Sequence, residues 1–376
     1  MTAAPLRREV LDEAPLLVWV LVPTVDTTDP NLSYYYDFSQ GRAEFARAFA
    51  ALGHEWKWQP VTMKNYRATI NRIARSVGRY NPVVMNLCDG DETNGVPGVS
   101  VIRYLEEKGL CYSGSDKRFY DVTTSKTVMK RAFDQLGVPT PSWEVIESDT
   151  ACLDGIFERH DTPLIVKPAV SAGSMGITIK SVVEDEAALS DQVRELYAGY
   201  RGWNLVDGGV FVERYIKGRE FTTFIIGSHD RPEACIIYPP VERVFHKALP
   251  ATEQFLSFDR LWEIYERETP IGENEYLWEY QPVPPDLESG ISQMSWEAYE
   301  AVGGCGYGRI DLRMDGETGE LFVLEVNAQC GLSEDENHTS IGAILRFAKA
   351  PYSQMVSQII SEAQAKNASK LRLLRS

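Results

Sequence analysis

The alternation of apolar and polar residues along the chain predicts a succession of buried strands, loops and helices. Apolar runs at 16–22 (LLVWVLV) and 83–88 (VVMNLC) predict buried strands, and each precedes a polar loop and a helical pattern, RAEFARAFAALG and VSVIRYLEEKG. This order predicts a parallel α/β unit over 15–121, after a flexible N-terminus at 1–14. Ligands of such sheets bind at the carboxyl ends of the strands.

A proline-containing segment, LGVPTPSWEV, predicts an extended linker into a second unit at 122–230. This unit contains the apolar strand PLIVKPA, a glycine-rich AGSMG, a helix at EDEAALSDQVRELYAG, and the strands GGVFVERYI and EFTTFIIG. A third unit, 231–376, begins with ACIIYPPVERVF, passes through an irregular stretch at 260–288, and ends in a helix at 341–365.

Composition narrows the class of protein. The 376 residues are 44% hydrophobic and 24% charged, which is typical of a globular protein of two or three units. The net charge of -16 excludes nucleic acid as the main partner, and LLVWVLV is too short to span a bilayer, so we expect no membrane partner. Six scattered cysteines without a CxxC pair predict a reduced cytoplasmic protein with neither a zinc site nor a disulfide framework.

The segment GYGRIDLRMDGETGELFVLEVNAQCGLS predicts a β-hairpin with a polar face. A three-residue loop at 317–319, with Gly319 in a left-handed conformation, pairs Arg309 with Asn327 and Asp311 with Glu325. The opposite, core face then carries Ile310, Leu312, Met314, Phe322, Leu324 and Val326.

Like charges opposite each other destabilise an antiparallel pair, so Asp311 and Glu325 need an explanation. Together with the Asn327 amide oxygen they form an oxygen-only ligand set that suits Mg²⁺. The alternative is a solvated face on which Arg309 and Arg313 balance the acids, and a register shift by one residue would separate the groups.

Two further segments have the chemistry of a nucleotide site. Lys167 ends an apolar strand and precedes a loop with Gly173, Ser174 and Gly176, whose backbone can approach phosphate oxygens. The loop is not a GxxxxGK[ST] motif, and GGCGYG at 303–308 precedes a strand and is therefore not a dinucleotide fingerprint. An ordinary strand turn is the alternative.

In FVERYIKGREF, Glu213 and Glu220 flank a strand end and a turn. Their carboxylates can accept hydrogen bonds from an adenine amino group or from ribose hydroxyls. Two exposed acids paired with Arg214 and Arg219 are the alternative.

Taken in order, these segments resemble the ATP-grasp superfamily and, within it, the D-alanine-D-alanine ligase-like enzymes. The matching pieces are YSGSD before the helix with Lys126, LGVPTPSW, VKPAVSAGSMGI, FVERYIKGREFT and the hairpin, which span roughly 80–340 with a loose match at 245–300. The resemblance implies a three-domain α/β (α+β grasp) architecture, with an N-terminal parallel α/β domain and ATP held between two β-sheets.

The resemblance also implies roles for particular residues. Lys126 and Lys167 contact the ATP phosphates, and the loop with Gly173, Ser174 and Gly176 closes over them. Glu213 takes the adenine amino group, the backbone near Ile216 the ring edge, and Glu220 the ribose. The remaining positions are the metal ligands Asp311, Glu325 and Asn327, for one or two Mg²⁺ or for Mn²⁺, and the catalytic group of Arg309, Lys247 and Ser174.

The implied reaction joins a small-molecule carboxylate to an amine. The carboxylate attacks the γ-phosphate to give an acylphosphate, and the amine then attacks the acyl carbon while Arg309 stabilises the oxyanion. The products are an amide, ADP and phosphate.

The chain departs from this family where substrates bind. NLSYYYDFSQGRAEF and MNLCDGDETNGVPG lack the family's His, which leaves Asp37 or Asp89 as substitutes, with Gly331 and Ser333 on the acceptor side. Glu334, Asp335 and Glu336 either repel a free acceptor carboxylate or cap the next helix. The segment 260–288 is an aromatic insertion without a counterpart in the family, and its aromatic residues are Trp262, Tyr265, Tyr276, Trp278 and Tyr280. The alternatives for this insertion are a cover over the substrate cleft, a surface excursion and a contact with a second copy in a homodimer.

Three functions are therefore compared. We expect a carboxylate-amine ligase of specialised metabolism because the substrate loops differ from those of the family. A D-alanine-D-alanine ligase of cell-wall synthesis is the first alternative, and a non-catalytic nucleotide-binding protein is the second.

Overall fold

The computed structural model describes residues 14–25, 37–262, 268, 271–272 and 275–373. The predicted flexible N-terminus lies outside the described residues, except for residue 14. The NLSYYYDF loop lies outside them up to residue 36, and so does Tyr265. The described chain forms three sheets with helices packed on and between them.

The first sheet is parallel, with strand order β2-β1-β3-β4. Strand β1 is buried along almost its whole length, as its continuous apolar run requires in a sheet covered on both faces. The elements of this unit are β1 (Leu16–Pro23), α1 (Ser39–Leu52), β2 (Glu55–Val61), α2 (Tyr66–Ala74), β3 (Asn81–Asn86), α3 (Val99–Glu107) and β4 (Cys111–Tyr112).

The second sheet is antiparallel, with strand order β5-β8-β6-β7. Helix α7 packs on it through Leu189, Val193 and Leu196. The elements are α4 (Lys117–Thr124), α5 (Lys126–Leu136), β5 (Trp143–Ile146), α6 (Ile156–His160), β6 (Leu164–Pro168), β7 (Val182–Val183), α7 (Glu186–Ala198) and β8 (Val210–Arg214).

The third sheet has strand order β12-β11-β9-β13-β14, with β10 paired to β9. Its elements are β9 (Gly218–Ser228), β10 (Ile236–Ile237), β11 (Val241–Phe245), α8 (Phe258–Trp262), β12 (Trp278–Pro282), α9 (Pro285–Ala301), β13 (Cys305–Asp315), β14 (Leu321–Ala328), α10 (Ser340–Ala348) and α11 (Tyr352–Leu373). Because β9 belongs to this sheet, the sheets divide near residue 217 and not at the predicted boundary of 230. The stretch predicted as irregular also contains a helix and a strand, α8 and β12.

The β13–β14 hairpin has the two predicted polar pairs, but its turn and its register near the turn differ from the prediction. Arg309 pairs with Asn327 and Asp311 with Glu325, as predicted, whereas Leu312 pairs with Val323 across a bulge. The turn contains four residues, because Asp315 and Glu320 are hydrogen-bonded, and Gly319 is left-handed with φ 76°. The extra residue in the bulge compensates for the longer turn.

The bulge also changes which side chains of β14 face the core. Val323 is fully buried among Ile310, Leu312 and Val326, whereas Phe322 and Leu324 are only partly buried. The predicted core positions of Phe322 and Leu324 are therefore wrong, because the bulge turns the residues beyond it to the opposite faces.

A hydrophobic core joins the first and third units. Side chains of β1 and α1, such as Val20 and Phe49, lie in one cluster with Phe224 of β9 and with Met355 and Ile359 of α11. The predicted single helix at 341–365 is two helices, because Lys349 adopts a left-handed conformation (φ 53°) and Pro351 follows it. Helix α11 thereby packs against the N-terminal unit.

Candidate functional site

The polar face of the β13–β14 hairpin is the centre of the site. The Arg309 side chain donates to both Asp311 oxygens at 2.7–3.2 Å, and Thr222 Oγ1 of the neighbouring strand donates to Asp311 Oδ1 at 2.7 Å. Asn327 Nδ2 donates to Asp311 Oδ2 at 3.0 Å and to Glu325 Oε1 at 3.1 Å. One amide therefore bridges the two opposed carboxylates.

The charge of Arg309 is fixed by this arrangement. Burial by itself lowers the pKa of the guanidinium, but Asp311 and the more distant Cys330 and Glu325 together raise that pKa above its ordinary value. Arg309 is therefore a permanent cation beside the carboxylates and has no role as a proton donor at neutral pH.

Lysines from the second unit face this hairpin. Lys126 Nζ lies 3.8 Å from Glu325 Oε2 and donates to the Ser171 carbonyl at 2.9 Å. Lys167 Nζ lies 2.5 Å from Glu213 Oε1. Burial lowers the pKa of Lys126. The structure thus brings together Lys126, Lys167 and the predicted metal-binding residues at one cleft.

Glu213 pairs with a lysine that the sequence did not reveal. Lys130, 1% exposed, has its Nζ 2.5 Å from Glu213 Oε2 and donates to Thr140 Oγ1 at 2.6 Å. Burial opposes ionisation of Glu213, but Lys130 and Lys167 lower its pKa to about 2. The alternative of an exposed Glu213 paired with Arg214 or Arg219 is wrong: Glu213 is 1% exposed.

Glu220 is enclosed by two arginines. Its Oε2 accepts from Arg313 Nε at 3.1 Å and Nη2 at 2.9 Å, and its Oε1 accepts from Arg243 Nη1. Arg313 Nη1 also donates to the carbonyl oxygen of Ile216 at 2.8 Å. Arg219 pairs instead with Glu242, so the alternative of an exposed Glu220 ion pair is also wrong.

The glycine-rich loop is contacted by the segment 256–262. Gly173, Ser174 and Gly176 all have positive φ values of 54–78°. Ser174 Oγ donates to the Leu256 carbonyl at 3.0 Å, and Trp262 Nε1 donates to the Gly173 carbonyl at 3.0 Å. The start of the aromatic insertion therefore lies over this loop.

The other aromatic residues of the insertion have separate positions. Trp278 and Tyr280 lie in β12, and Tyr280 Oη accepts from Arg243 Nη2 at 3.0 Å. Tyr276 is 70% exposed and contacts the ring of His338. Lys247 lies exposed two residues beyond β11, and no hydrogen bond or ion pair connects it to another described residue.

The predicted substrate residues fall into two groups. Asp37 accepts from the backbone of Ser39 at 2.9 Å at the start of α1, and it lines a cavity of about 380 Å³ with Arg42 and Trp58. Asp89 follows β3 and remains accessible, while desolvation raises its pKa to about 6. Burial raises the pKa of the Cys330 thiol, the neighbour of Gly331, and the Asp311 and Asp89 carboxylates add to this rise.

The acidic segment after the hairpin is attached to α1. Ser333 Oγ donates to Glu44 Oε1 at 2.9 Å, and Glu334 pairs with Arg47. Asp335 accepts from the backbone of Asn337 and His338 at 3.1 Å each, in a turn before α10. The N-cap of that helix is Thr339, so the alternative in which the acids cap it is wrong.

Two further features were not found among the described residues. Among the residues that the structure describes, no three His, Cys, Asp or Glu side chains cluster to form a metal site by themselves. No described helix is both long enough and apolar enough to cross a membrane.

Comparison with known proteins gives the same assignment as the sequence resemblance. The model of the family "D-ala D-ala ligase C-terminus" matches residues 132–361. D-alanine--D-alanine ligase B of Xanthomonas campestris is 26% identical over 74% of this chain and 77% of its own length. The enzyme of the same name from Pseudomonas putida is 28% identical over 69% of this chain and 71% of its own.

Solved structures show the same fold. D-alanine--D-alanine ligase from Bacillus anthracis, complexed with ATP, superimposes with a TM-score of 0.67 at 17% identity, covering 95% of this chain and all of that one. The ligase from Coxiella burnetii gives 0.64 at 15% identity, covering 96% and 98%. These likenesses confirm the predicted ATP-grasp architecture.

Proposed function

Because the chain belongs to the D-ala D-ala ligase family over residues 132–361, we propose that it is an ATP-dependent carboxylate-amine ligase that joins two D-alanine molecules. The relatives support this function over specialised metabolism, which none of their names suggests. The observation that carries the proposal is the distance of 3.8 Å between Lys126 Nζ and Glu325 Oε2. This distance brings a candidate phosphate-binding lysine to the opposed carboxylates.

The donor set of the hairpin fits a divalent cation. Asp311 and Glu325 present carboxylate oxygens on one face, and the terminal amide of Asn327 can present its oxygen to the same point after a half-turn. These three residues would hold Mg²⁺ or Mn²⁺, with water and substrate oxygens completing the coordination. When bound, the ion neutralises phosphate charge.

Side chains around the phosphates have separate roles in the first half of the reaction. Lys126 and Lys167 bind and orient the phosphates, and the loop with Gly173 and Ser174 excludes water above them. A carboxylate oxygen of the first D-alanine attacks the γ-phosphorus and ADP leaves, which gives an acylphosphate.

The second half of the reaction depends on Arg309. The amine of the second D-alanine attacks the acyl carbon, the amine proton is released, and phosphate departs as the peptide bond forms. Arg309 remains charged throughout and stabilises the oxyanion. The convergence of these residues argues against a non-catalytic nucleotide-binding protein.

One observation favours a different acceptor for the same chemistry. Glu334, Asp335 and Glu336 follow Gly331, on the side where the family resemblance puts the acceptor. Glu334 is paired with Arg47 and Asp335 accepts from the backbone, so the exposed Glu336 is the acid that would repel a free carboxylate. A cationic or larger amine is therefore the second candidate. We also propose a cytoplasmic location, which the six free thiols support.

Release of ADP tests the proposal. The protein is incubated with ATP, Mg²⁺ and D-alanine alone, then with D-alanine plus a panel of amines, and with L-alanine as the matched control. ADP release with D-alanine alone supports the proposed ligase. Release that requires a second amine supports the second candidate, and no stimulation by any carboxylate contradicts both.

A further inference from the structure

Gln329 has an unusual backbone conformation just beyond the hairpin. It follows the last residue of β14, is 2% exposed, and has a φ of 55°, in the left-handed region that residues other than glycine rarely adopt. Such a conformation persists only where the surroundings fix it, and it is common at functional sites. In the chain, Gln329 lies between Asn327, a predicted metal ligand, and Gly331 on the predicted acceptor side.

The side-chain amide of Gln329 lies between two strands of the N-terminal sheet. β3 and β4 are parallel neighbours, and Ser113 N donates to the Val84 carbonyl at 2.8 Å. Two residues further along each strand, the regular parallel pattern would join Ser115 N to the Asn86 carbonyl. Instead, Ser115 N donates to Gln329 Oε1 at 2.8 Å, and Gln329 Nε2 donates to the Asn86 carbonyl at 2.7 Å. The amide therefore replaces one hydrogen bond of the sheet.

The space for this amide is closely bounded. A Cβ atom on Gly114 (φ 82°) would lie 1.5 Å from Gln329 Oε1, and a Cβ atom on Gly306 (φ 86°) would lie 2.1 Å from the Gly114 carbonyl oxygen. Asn86 and Ser115 are fully buried, so their backbone groups need partners inside the protein. Glutamine satisfies both groups because its amide has a donor side and an acceptor side.

The amide connects two loops that border the proposed acceptor region. On the N-terminal side, Asn86 is three residues before Asp89, the candidate substrate residue that follows β3. On the hairpin side, Gln329 begins the segment 329–333, called the acceptor segment below. The hydrogen bonds of Gln329 therefore fix the position of one loop relative to the other.

The acceptor segment is held to the N-terminal unit at a second point. Ser333 Oγ donates to Glu44 Oε1 on α1 at 2.9 Å. Between the two anchors, Gly331 is exposed, and a Cβ atom added to it would meet open space. The backbone of Gly331 is therefore accessible from one side, while Gln329 and Ser333 hold the segment from the other.

We infer that Gln329 is a positioning residue for the second substrate, because its side-chain amide sets the distance between the acceptor segment and the loop that carries Asp89. This inference rests on the proposed ligase function. Among the described residues, no hydrogen bond or ion pair joins Gln329 to the opposed carboxylates or to the lysines at the phosphates. We therefore expect Gln329 to affect capture of the second substrate and not formation of the acylphosphate.

Two reactions of the same acylphosphate separate these steps. Dipeptide formation at saturating ATP and varied D-alanine gives two values of KM, one for each molecule of D-alanine. In the second reaction hydroxylamine replaces the second D-alanine: its nitrogen attacks the acyl carbon, phosphate leaves, and a hydroxamate forms. Hydroxamate formation thus measures the acylphosphate step without the acceptor. If ADP release identifies another amine as the acceptor, that amine replaces the second D-alanine in the first reaction.

Removal of the amide should change one constant selectively. We expect Gln329→Met to raise KM for the second D-alanine about tenfold or more, because a small displacement of a substrate-binding segment is costly. KM for the first D-alanine, hydroxamate formation and the calorimetric dissociation constant of ATP should stay within about threefold. Gln192→Met, the same exchange at a buried glutamine of α7, is the matched control and should alter none of these values.

Gln329→Gly supplies a variant that suits the left-handed backbone and still lacks the amide. We expect it to raise the same KM, and it decides the question if Gln329→Met does not fold. An unchanged KM for the second D-alanine in Gln329→Gly, or equal losses in dipeptide and hydroxamate formation, overturns the positioning role. Absence of hydroxamate with the unaltered protein and every carboxylate tested contradicts the proposed function, and this inference with it.

Discussion

Lys130 lies fully buried beside Glu213, with its ammonium nitrogen 2.5 Å from the carboxylate oxygen Oε2. The lysine comes from α5 and the glutamate from β8, so this ion pair joins a helix to the second sheet. Lys167 contacts the other oxygen of the same carboxylate from the cleft side. A structural ion pair and a candidate phosphate-binding lysine therefore share one anion.

Removal of Lys130 should destabilise the fold. Lys130→Met leaves Glu213 buried with a single partner, and breaking a buried ion pair typically costs about 3–5 kcal/mol of unfolding free energy. Urea denaturation measures the change. The control Arg131→Met alters an exposed neighbour on the same helix and should shift stability by less than about 0.5 kcal/mol. A cost below about 1 kcal/mol for Lys130→Met would contradict the structural role.

The Glu213 ion pairs also predict a dependence of stability on pH. The pKa of Glu213 is lowered from 4.5 to about 2 in the folded protein, so its contribution is present above pH 4.5 and is lost as the pH falls towards 2. We expect the unaltered protein to lose on the order of 3 kcal/mol more than Glu213→Gln across this window. If the unfolding free energies of the two proteins fall equally with pH across this window, Glu213 does not titrate in this way.

Arg309 should matter for turnover more than for nucleotide affinity. Arg309→Ala removes the cation that we propose for the stabilisation of the oxyanion, and loss of one such group typically lowers turnover about 10²- to 10³-fold. ADP release gives the turnover and calorimetry gives the ATP dissociation constant. Arg194→Ala, on the exposed face of α7, should change neither. Normal turnover in Arg309→Ala would refute the assignment.

Asp311 should couple nucleotide binding to the metal. Asp311→Asn removes a negative charge that attracts Mg²⁺ and repels phosphate, so we expect ATP affinity to fall about tenfold with Mg²⁺ and to rise slightly in EDTA. The opposite signs distinguish a metal ligand from a structural residue. Equal weakening in both conditions would assign Asp311 only to its contacts with Arg309 and Thr222.

The central pairs of the hairpin could be predicted because they depend on local patterns, whereas the three-domain architecture was predicted from the resemblance to a known family. Period-2 alternation and Gly319 were sufficient to place Arg309 opposite Asn327 and Asp311 opposite Glu325. The predicted loop length was wrong, but the bulge at Leu324 returns the pairs beyond it, Asp311–Glu325 and Arg309–Asn327, to the predicted register. No residue pattern indicates that bulge.

Other features depend on contacts between distant segments. Lys130 lies on an amphipathic helix, where a lysine normally predicts an exposed position, and only the fold brings Glu213 to it. Arg243 lies on β11, and its partner Glu220 is 23 residues away in the chain. The change of sheet near Gly218 has no signal in the sequence beyond a turn, which explains why the prediction assigned the β9 segment to the second unit.

The hydrophobic core shared by β1, α1 and α11 has a consequence for protein engineering. A chimera that takes its N-terminal unit from a relative must also take, or redesign, the C-terminal helix, although the two are separated by more than 200 residues in the chain. The N-terminal sheet and the C-terminal helix therefore have to be exchanged together as one packing unit.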